Sequence, residues 1–246
     1  LTSVDYTGIE LVVIDGNSAD ADELRVRGTL AADDIHVVPG TIGDRITGNY
    51  QTPVEATGSV LGGGFDNVTI DISGYGNDTV TFDMTLLVSG DIFTVDADSD
   101  EVEQLILQGT DAADTVTTTA TSATFAEGAN TDTVVFDAGE LDQITFRTFD
   151  DDDDITLTDL AVESIVEAGA GNDTVDLNAL TANATVFAGA GDDAVDAEDT
   201  VDDAVRLTLY GEDGNDSLVG ADSTTGDAAG DFLFGGPGND RLEGGR

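Results

Sequence analysis

The sequence predicts an all-β chain whose C-terminal half winds as a right-handed parallel β-solenoid. Three observations carry that expectation: a Gly/Asp turn that recurs along the chain, an alternating apolar stretch before each copy, and a spacing near 20 residues between copies. Composition agrees. Leu, Ile, Val and Phe make up 65 of 246 residues, about 26%, above the roughly 20% below which chains tend to disorder. The acids divide into 40 Asp and 12 Glu. Asp favours turns, caps and hard-cation sites, whereas helical surfaces favour Glu and Lys. With 30 Gly, 3 Pro and many Val and Thr, the pattern is strands joined by Gly/Asp turns.

The turns themselves fix the units. Gly235-Gly236-Pro237-Gly238-Asn239-Asp240-Arg241-Leu242-Glu243 fits G-G-x-G-x-D-x-U-x, with U a large apolar residue, and Gly226 to Phe234 is a looser copy placing Asp231 nine residues before Asp240. Upstream stand Gly211-Glu212-Asp213-Gly214-Asn215-Asp216, Ala188-Gly189-Ala190-Gly191-Asp192-Asp193, Ala168-Gly169-Ala170-Gly171-Asn172-Asp173 and, far earlier, Ser73-Gly74-Tyr75-Gly76-Asn77-Asp78. Copies around Asp33 and Asp114 keep the Asp-x-U ending but have Ala where glycine is expected; Ala tolerates positive φ poorly, so these read first as capped turns without metal. Thr148 to Ile155 fits more weakly still, and Asp150–Asp154 reads as a solvated acidic loop from which one or two residues could join a neighbouring site. Alternating stretches precede the copies, among them Leu24/Val26, Val68/Ile70/Ile72, Leu105/Leu107, Ile144/Phe146 and Leu207/Leu209.

Spacing turns the repeat into architecture. Asp173 to Asp193 is 20 residues, Asp193 to Asp216 is 23 and Asp216 to Asp240 is 24. About 20 residues suits a coil of two short strands and two turns, which cannot bury its own apolar face and must stack on neighbours. The opposite turns would be residues 178–183 and 198–203. Residues 144–246 are expected to form the regular solenoid. Residues 1–143 are either degenerate coils of the same stack or a separate β domain resembling a sandwich.

Charge sets limits on partners. Asp and Glu number 52 against seven Arg and no Lys, a formal net charge of -45. That field repels phosphate backbones and anionic lipid, which excludes nucleic-acid and membrane-surface binding. No apolar run is long enough for a spanning helix, so no membrane insertion is expected. Without cysteine there are no disulfides, thiolate zinc sites or cysteine nucleophiles. The chain does not begin with Met and shows no basic-plus-apolar leader, so any signal peptide is expected to have been removed or to lie outside it.

Stacked turns would place successive Asp carboxylates about 5 Å apart, where each pair repels by roughly 3 kcal/mol at an effective dielectric near 20. A column of Asp173, Asp193, Asp216 and Asp240 therefore calls for cations between its rungs. Calcium suits such a place, taking 6–8 oxygens at about 2.3–2.6 Å in forgiving geometry, whereas magnesium demands near-ideal octahedra and keeps its waters. Several calcium ions are expected as the only cofactors.

At these residues the chain resembles the RTX (repeats-in-toxin) calcium-binding β-roll family, closely over 168–246 and at 73–81, loosely elsewhere. The resemblance implies aspartate ligands at Asp78, Asp173, Asp193, Asp216, Asp231 and Asp240. It implies turn carbonyls at Gly169/Gly171, Gly189/Gly191, Gly211/Gly214 and Gly235/Gly238. Family members usually repeat the nonapeptide on both edges of the coil. Here only 226–243 shows adjacent copies, which puts a second ion row in doubt over 168–216.

Other chemistries find little footing. His36 is the single histidine and sits in a strand-like run; there is no Trp and there are four Tyr, too few for the aromatic platforms of glycan-cleaving sites. Arg147 and Arg206 are isolated cations that pair with adjacent acids or act as a lyase base. No Gly-x-Ser-x-Gly elbow, Walker loop or His-Glu-x-x-His is present. No enzymatic activity is expected. The reading is a calcium-dependent structural or assembly module of a secreted or cell-surface protein, such as a surface-layer, stalk or adhesin segment, acting through self-association or neighbouring repeats. The competing reading is the calcium-folded C-terminal repeat domain of a larger secreted enzyme or toxin. Gly244-Gly245-Arg246 opens another repeat and stops, which suggests truncation inside a longer array.

Overall fold

A computed structural model describes residues 12–15, 23–27, 34–38, 45–48, 54–57, 67–71, 77–84, 92–97, 102–128, 130–200, 204–222 and 230–245. All regular structure among them is β. The early strands are β1 (Val12–Asp15), β2 (Glu23–Arg27), β3 (Asp34–Val38), β4 (Arg45–Gly48), β5 (Val54–Thr57), β6 (Asn67–Asp71), β7 (Asp78–Asp83) and β8 (Ile92–Asp96). There follow β9 (Glu103–Gln108), β10 (Thr115–Thr119), β11 (Ser122–Glu127), β12 (Asn130–Val135), β13 (Gln143–Arg147), β14 (Asp154–Thr158), β15 (Glu163–Ala170) and β16 (Thr174–Asn178). The last are β17 (Ala184–Ala190), β18 (Ala194–Asp196), β19 (Leu207–Asp213), β20 (Ser217–Val219), β21 (Phe232–Phe234) and β22 (Arg241–Glu243).

From β13 onward, consecutive strands alternate between two sheets. One sheet runs β13-β15-β17-β19-β21 and the other β14-β16-β18-β20-β22, every neighbour parallel. Thr145 lies beside Ile165 and Ile165 beside Thr185, a register of one coil per 20 residues. This is a parallel β-solenoid. Its strands alternate as half-buried strands must, with period two: Ile144 and Phe146, Ile155 and Leu157, Val175 and Leu177, and Leu207 and Leu209 are all fully buried between the sheets.

The earlier strands extend the same two sheets, so the described part of residues 1–143 forms no separate sandwich. Their path is less regular because each sheet receives an antiparallel insertion. In the first sheet β3, β4 and β5 zigzag, with β1 joining β5 and β7 joining β3 in parallel. In the second, β10, β11 and β12 do the same, with β8 beside β12 and β14 beside β10. Each zigzag adds two strands to one sheet, and both sheets reach eleven. Between β10 and β11 the reversal is a two-residue loop, since Thr119 pairs with Ser122.

The coil has two edges. At one, the chain passes from the first sheet to the second through the Gly/Asp turns; at the other it returns, for example through residues 179–183 between β16 and β17.

Candidate metal site along one edge

Five turns of the first kind stack in register from β14 to β22, and a sixth lies beneath them before β10. Their aspartates form a single buried column: Asp114, Asp153, Asp173 and Asp193 are at most 3% exposed and Asp216 is 2%. The backbone N–H of each donates to Oδ1 of the aspartate one rung further on. Asp114 donates to Asp153 at 2.7 Å, Asp153 to Asp173 at 2.8 Å, Asp173 to Asp193 at 2.8 Å, Asp193 to Asp216 at 3.0 Å and Asp216 to Asp240 at 3.2 Å. Each carboxylate thus satisfies a buried donor that would otherwise be stranded at the strand entrance.

One oxygen of each carboxylate is used in this way and the other is not. Oδ2 of Asp153, Asp173, Asp193 and Asp216 is buried and accepts no hydrogen bond; in Asp114, whose Oδ2 takes the N–H of Thr110, the unpartnered atom is Oδ1. The hydroxyl beside Asp153, on Thr148, donates instead to the Ala168 carbonyl. Leaving a charged oxygen buried and unpaired is costly. Burial accordingly raises the carboxyls of Asp114, Asp153, Asp173 and Asp193 to about 6, against the lowering effect of the donated N–H groups. Like charges add to the rise, from Glu127 at Asp114 and from column and turn aspartates at the other three. Asp216 shifts upward for the same first reason.

A second ladder runs outside the first, in the opposite sense. The N–H of Asn172 donates to Asp152 Oδ1, Asp192 to Asn172, Asn215 to Asp192 and Asn239 to Asn215. These side chains are exposed. The two ladders clamp successive turns together, and the backbones approach so closely that a Cβ on Gly191 would lie 1.6 Å from the Gly171 carbonyl oxygen.

Of the residues singled out in the sequence, Asp173, Asp193, Asp216 and Asp240 share this column, and Gly169, Gly171, Gly189, Gly191, Gly214 and Gly238 lie in its turns. Gly211 and Gly235 belong one residue earlier than the spacing suggested. Glu212, not Gly211, stands beside Gly189, and Gly236 packs on Glu212. Gly211 and Gly235 instead make room for a carboxylate: a Cβ at either would collide with Oδ2 of the aspartate five residues on.

Two other expected ligands lie elsewhere. Asp78 opens β7, a strand of the first sheet, and faces the buried Glu103 at the start of β9. Asp231 immediately precedes β21, also in the first sheet, and both its oxygens are taken, Oδ1 by the N–H of Leu207 and Oδ2 by that of Ala221. Both therefore sit on the return edge, away from the column. Asp33 lies outside the described residues.

The column also contains Asp114, expected first as a metal-free capped turn, and Asp153. The latter comes from the weak copy at Thr148 to Ile155, whose acidic run could lend one or two residues to a neighbouring site. Both occupy the same position as Asp173. Only Asp150, Asp151, Asp152 and Asp154 of that run are exposed. The rung at 148–153 is a weak copy because Phe149 (φ 74°) and Asp151 (φ 78°) take positive φ without glycine, where neighbouring turns use glycines such as Gly169 (φ 113°) and Gly191 (φ 147°). The Asp-x-U ending, Asp153-Asp154-Ile155, is the signal that marks it as a weak copy.

Among the described residues no group of three or more His or acidic side chains closes around one point. What the column offers a cation is a series of unpartnered carboxylate oxygens at strand spacing, flanked by turn backbone. That donor set is all oxygen and suits a hard ion. The isolated arginines are otherwise engaged: Arg147 Nε donates to Glu167 at 2.6 Å, and the Arg206 guanidinium lies 5.9 Å from the centre of the Phe232 ring. Comparison with known protein families, characterised proteins and solved structures finds no match.

Proposed function

We propose that the chain is a calcium-dependent structural module of a secreted or cell-surface protein, working as a spacer or lattice element of the surface-layer, stalk or adhesin kind. The observation that carries this reading is the file of carboxylates in which Asp114, Asp153, Asp173, Asp193 and Asp216 are buried, each with one oxygen satisfied and one not. A protein that needed only caps at these positions gains nothing from the surplus charge; a cation between rungs turns it into a ligand. Asp114, Asp153, Asp173, Asp193, Asp216 and Asp240 would hold the ions, with turn carbonyls and water completing each shell. The ions would supply charge neutralisation and cross-linking between coils. Resemblance to the RTX repeat supports calcium over other hard ions.

Neutralisation also bears on assembly. A formal charge of -45 keeps copies apart, and each divalent ion taken up weakens that barrier, so association grows with calcium and levels off when the column is full.

The test is circular dichroism and thermal melting with calcium and with EDTA. Ions that bind only the folded form stabilise it by mass action, so chelation should lower the melting temperature steeply and expand the chain. Identical spectra and melting curves in EDTA, calcium and magnesium would remove the metal reading.

A further inference from the structure

Five Asn-x-Ser/Thr triplets occur in the chain, at Asn67, Asn77, Asn172, Asn183 and Asn215. This triplet is the acceptor signature for N-linked glycan, and it acts only where the asparagine amide can be reached. Those at Asn77, Asn172 and Asn215 have Asp in the middle and fall inside copies of the turn repeat, so the repeat alone accounts for them. Asn183-Ala184-Thr185 does not belong to any such turn.

Side-chain geometry separates the candidates further. Asn172 is threaded into the outer ladder: its Nδ2 donates to Asp152 Oδ1 at 3.0 Å, and its Oδ1 accepts the N–H of Asp192. Asn215 is held in the same way, its Nδ2 donating to Asp192 at 2.8 Å while its Oδ1 accepts from Asn239. Each amide has a rung on either side at about strand spacing, roughly 4.8 Å. In both, a glycan on Nδ2 would displace the bond that this nitrogen makes to the ladder.

Asn183 is different. It lies on the return edge just before β17, and its side chain is exposed. Its Oδ1 accepts the backbone N–H of Arg206 at 2.8 Å, and its own carbonyl takes the N–H of Ser164. No bond is formed by its Nδ2 among the described residues. Substituting that nitrogen leaves Oδ1 in place, so the cap on Arg206 survives modification. The carboxylate column runs along the other edge, and a chain of sugars at Asn183 would not reach into it.

We infer that Asn183 carries an N-linked oligosaccharide. In the transfer, Nδ2 forms a bond to the anomeric carbon of the first sugar. The bond from that carbon to the pyrophosphate of a lipid-linked oligosaccharide donor breaks, the pyrophosphate leaves with the electron pair, and the amide gives one proton to the transferase. The inference rests on the exported location proposed above.

Glycopeptide mass mapping of the chain recovered from its own cells, with medium, envelope and cytoplasm kept apart, tests it. The expected result is a saccharide on the Asn183 peptide and bare peptides at Asn172 and Asn215. Thr185→Ala should abolish the saccharide while leaving Asn183 and its bond to Arg206 intact; Asn183→Gln should abolish it too. A bare Asn183 on chain found outside the cell overturns this inference alone. A bare chain confined to the cytoplasm overturns the exported reading and this inference with it. Equal occupancy at Asn172 and Asn215 would show that ladder geometry does not select the site.

Discussion

The two edges of the solenoid solve one problem with different side chains. At both, a backbone N–H of one coil is capped by a side-chain oxygen from the next. On the return edge the caps are mixed: the carboxylates of Asp142 and Asp231 accept the N–H groups of Glu103, Leu207 and Ala221, and the other caps are neutral. The Thr200 hydroxyl accepts the N–H of Leu180 and donates to the Leu177 carbonyl, Thr118 accepts from and donates to Thr158, and Asn183 accepts from Arg206. On the Gly/Asp edge the caps are carboxylates, and those of Asp153, Asp173, Asp193 and Asp216 keep a buried oxygen with no partner. A hydroxyl or an amide caps as well, and Asp231 caps with both of its oxygens engaged. On the proposed reading, the spare oxygens at Asp153, Asp173, Asp193 and Asp216 serve a cation from solution.

The strongest way to break this comparison is to separate cap from charge at one rung. Asp193→Ala removes both, and in calcium it should cost about 3 kcal/mol, the loss of a charge-assisted bond plus a buried N–H left unpaired. Asp193→Asn keeps the acceptor for Asp173 and removes only the charge. In calcium this variant should melt below the parent; in EDTA it should melt above it, because one source of like-charge repulsion in the column is gone. Urea titrations in the two buffers give both values. If Asp193→Asn shifts stability in the same direction in calcium and in EDTA, the charge has no cation to meet.

Acid should sharpen the contrast. With EDTA, the folded carboxyls at Asp114, Asp153, Asp173 and Asp193 titrate near 6 against an ordinary 3.8. The folded chain then holds more protons than the unfolded one between those values, so stability falls as pH rises from about 4 to 6. With calcium the ligands must lose their protons to bind, and stability should rise over the same interval. Melting curves at several pH values, with and without calcium, should therefore slope in opposite directions. Parallel slopes would contradict the assignment.

How far the edges could be told apart in the sequence depends on what distinguishes them. The turns at Asp173, Asp193, Asp216 and Asp240 were legible because glycines mark the left-handed positions and the spacing nearly repeats. Asp78 lies on the other edge although Gly74 to Asp78 has the same residue pattern as those turns. Sequence spacing does not record the edge. The zigzags β3–β5 and β10–β12 were also illegible, since antiparallel and parallel strands alternate alike in apolar residues. Asp153 was hidden by the residues before it, where stacking imposes a backbone shape that local preference would not choose.

On the return edge, Thr200→Val removes a fully buried hydroxyl and its two bonds while nearly keeping its shape. Leu180 loses its acceptor, so a loss of about 1–2 kcal/mol is expected. The contrast lies in its indifference to calcium: the loss should be the same in EDTA. A calcium-dependent loss at Thr200 would mean that both edges bind ions.

The smallest effect concerns the rung without glycine. Phe149 stands in the column of Gly169 and Gly189 with a φ of 74° and is 39% exposed. A non-glycine residue held in that region stores roughly 1–3 kcal/mol of strain, part of which glycine returns as extra freedom in the unfolded chain. Phe149→Gly should therefore stabilise the fold by about 1 kcal/mol, the reverse of the usual sign for a glycine substitution. The matched change on the next rung, Gly169→Ala, should destabilise it, because the added Cβ would meet the Phe149 carbonyl. Measured together by urea titration in calcium, the pair asks whether register in the stack or residue type sets the turn. Destabilisation by both substitutions would show that the Phe149 ring contributes more by packing than its backbone costs in strain, and the 148–153 turn would then be a distinct structure and not a glycine-free copy of its neighbours.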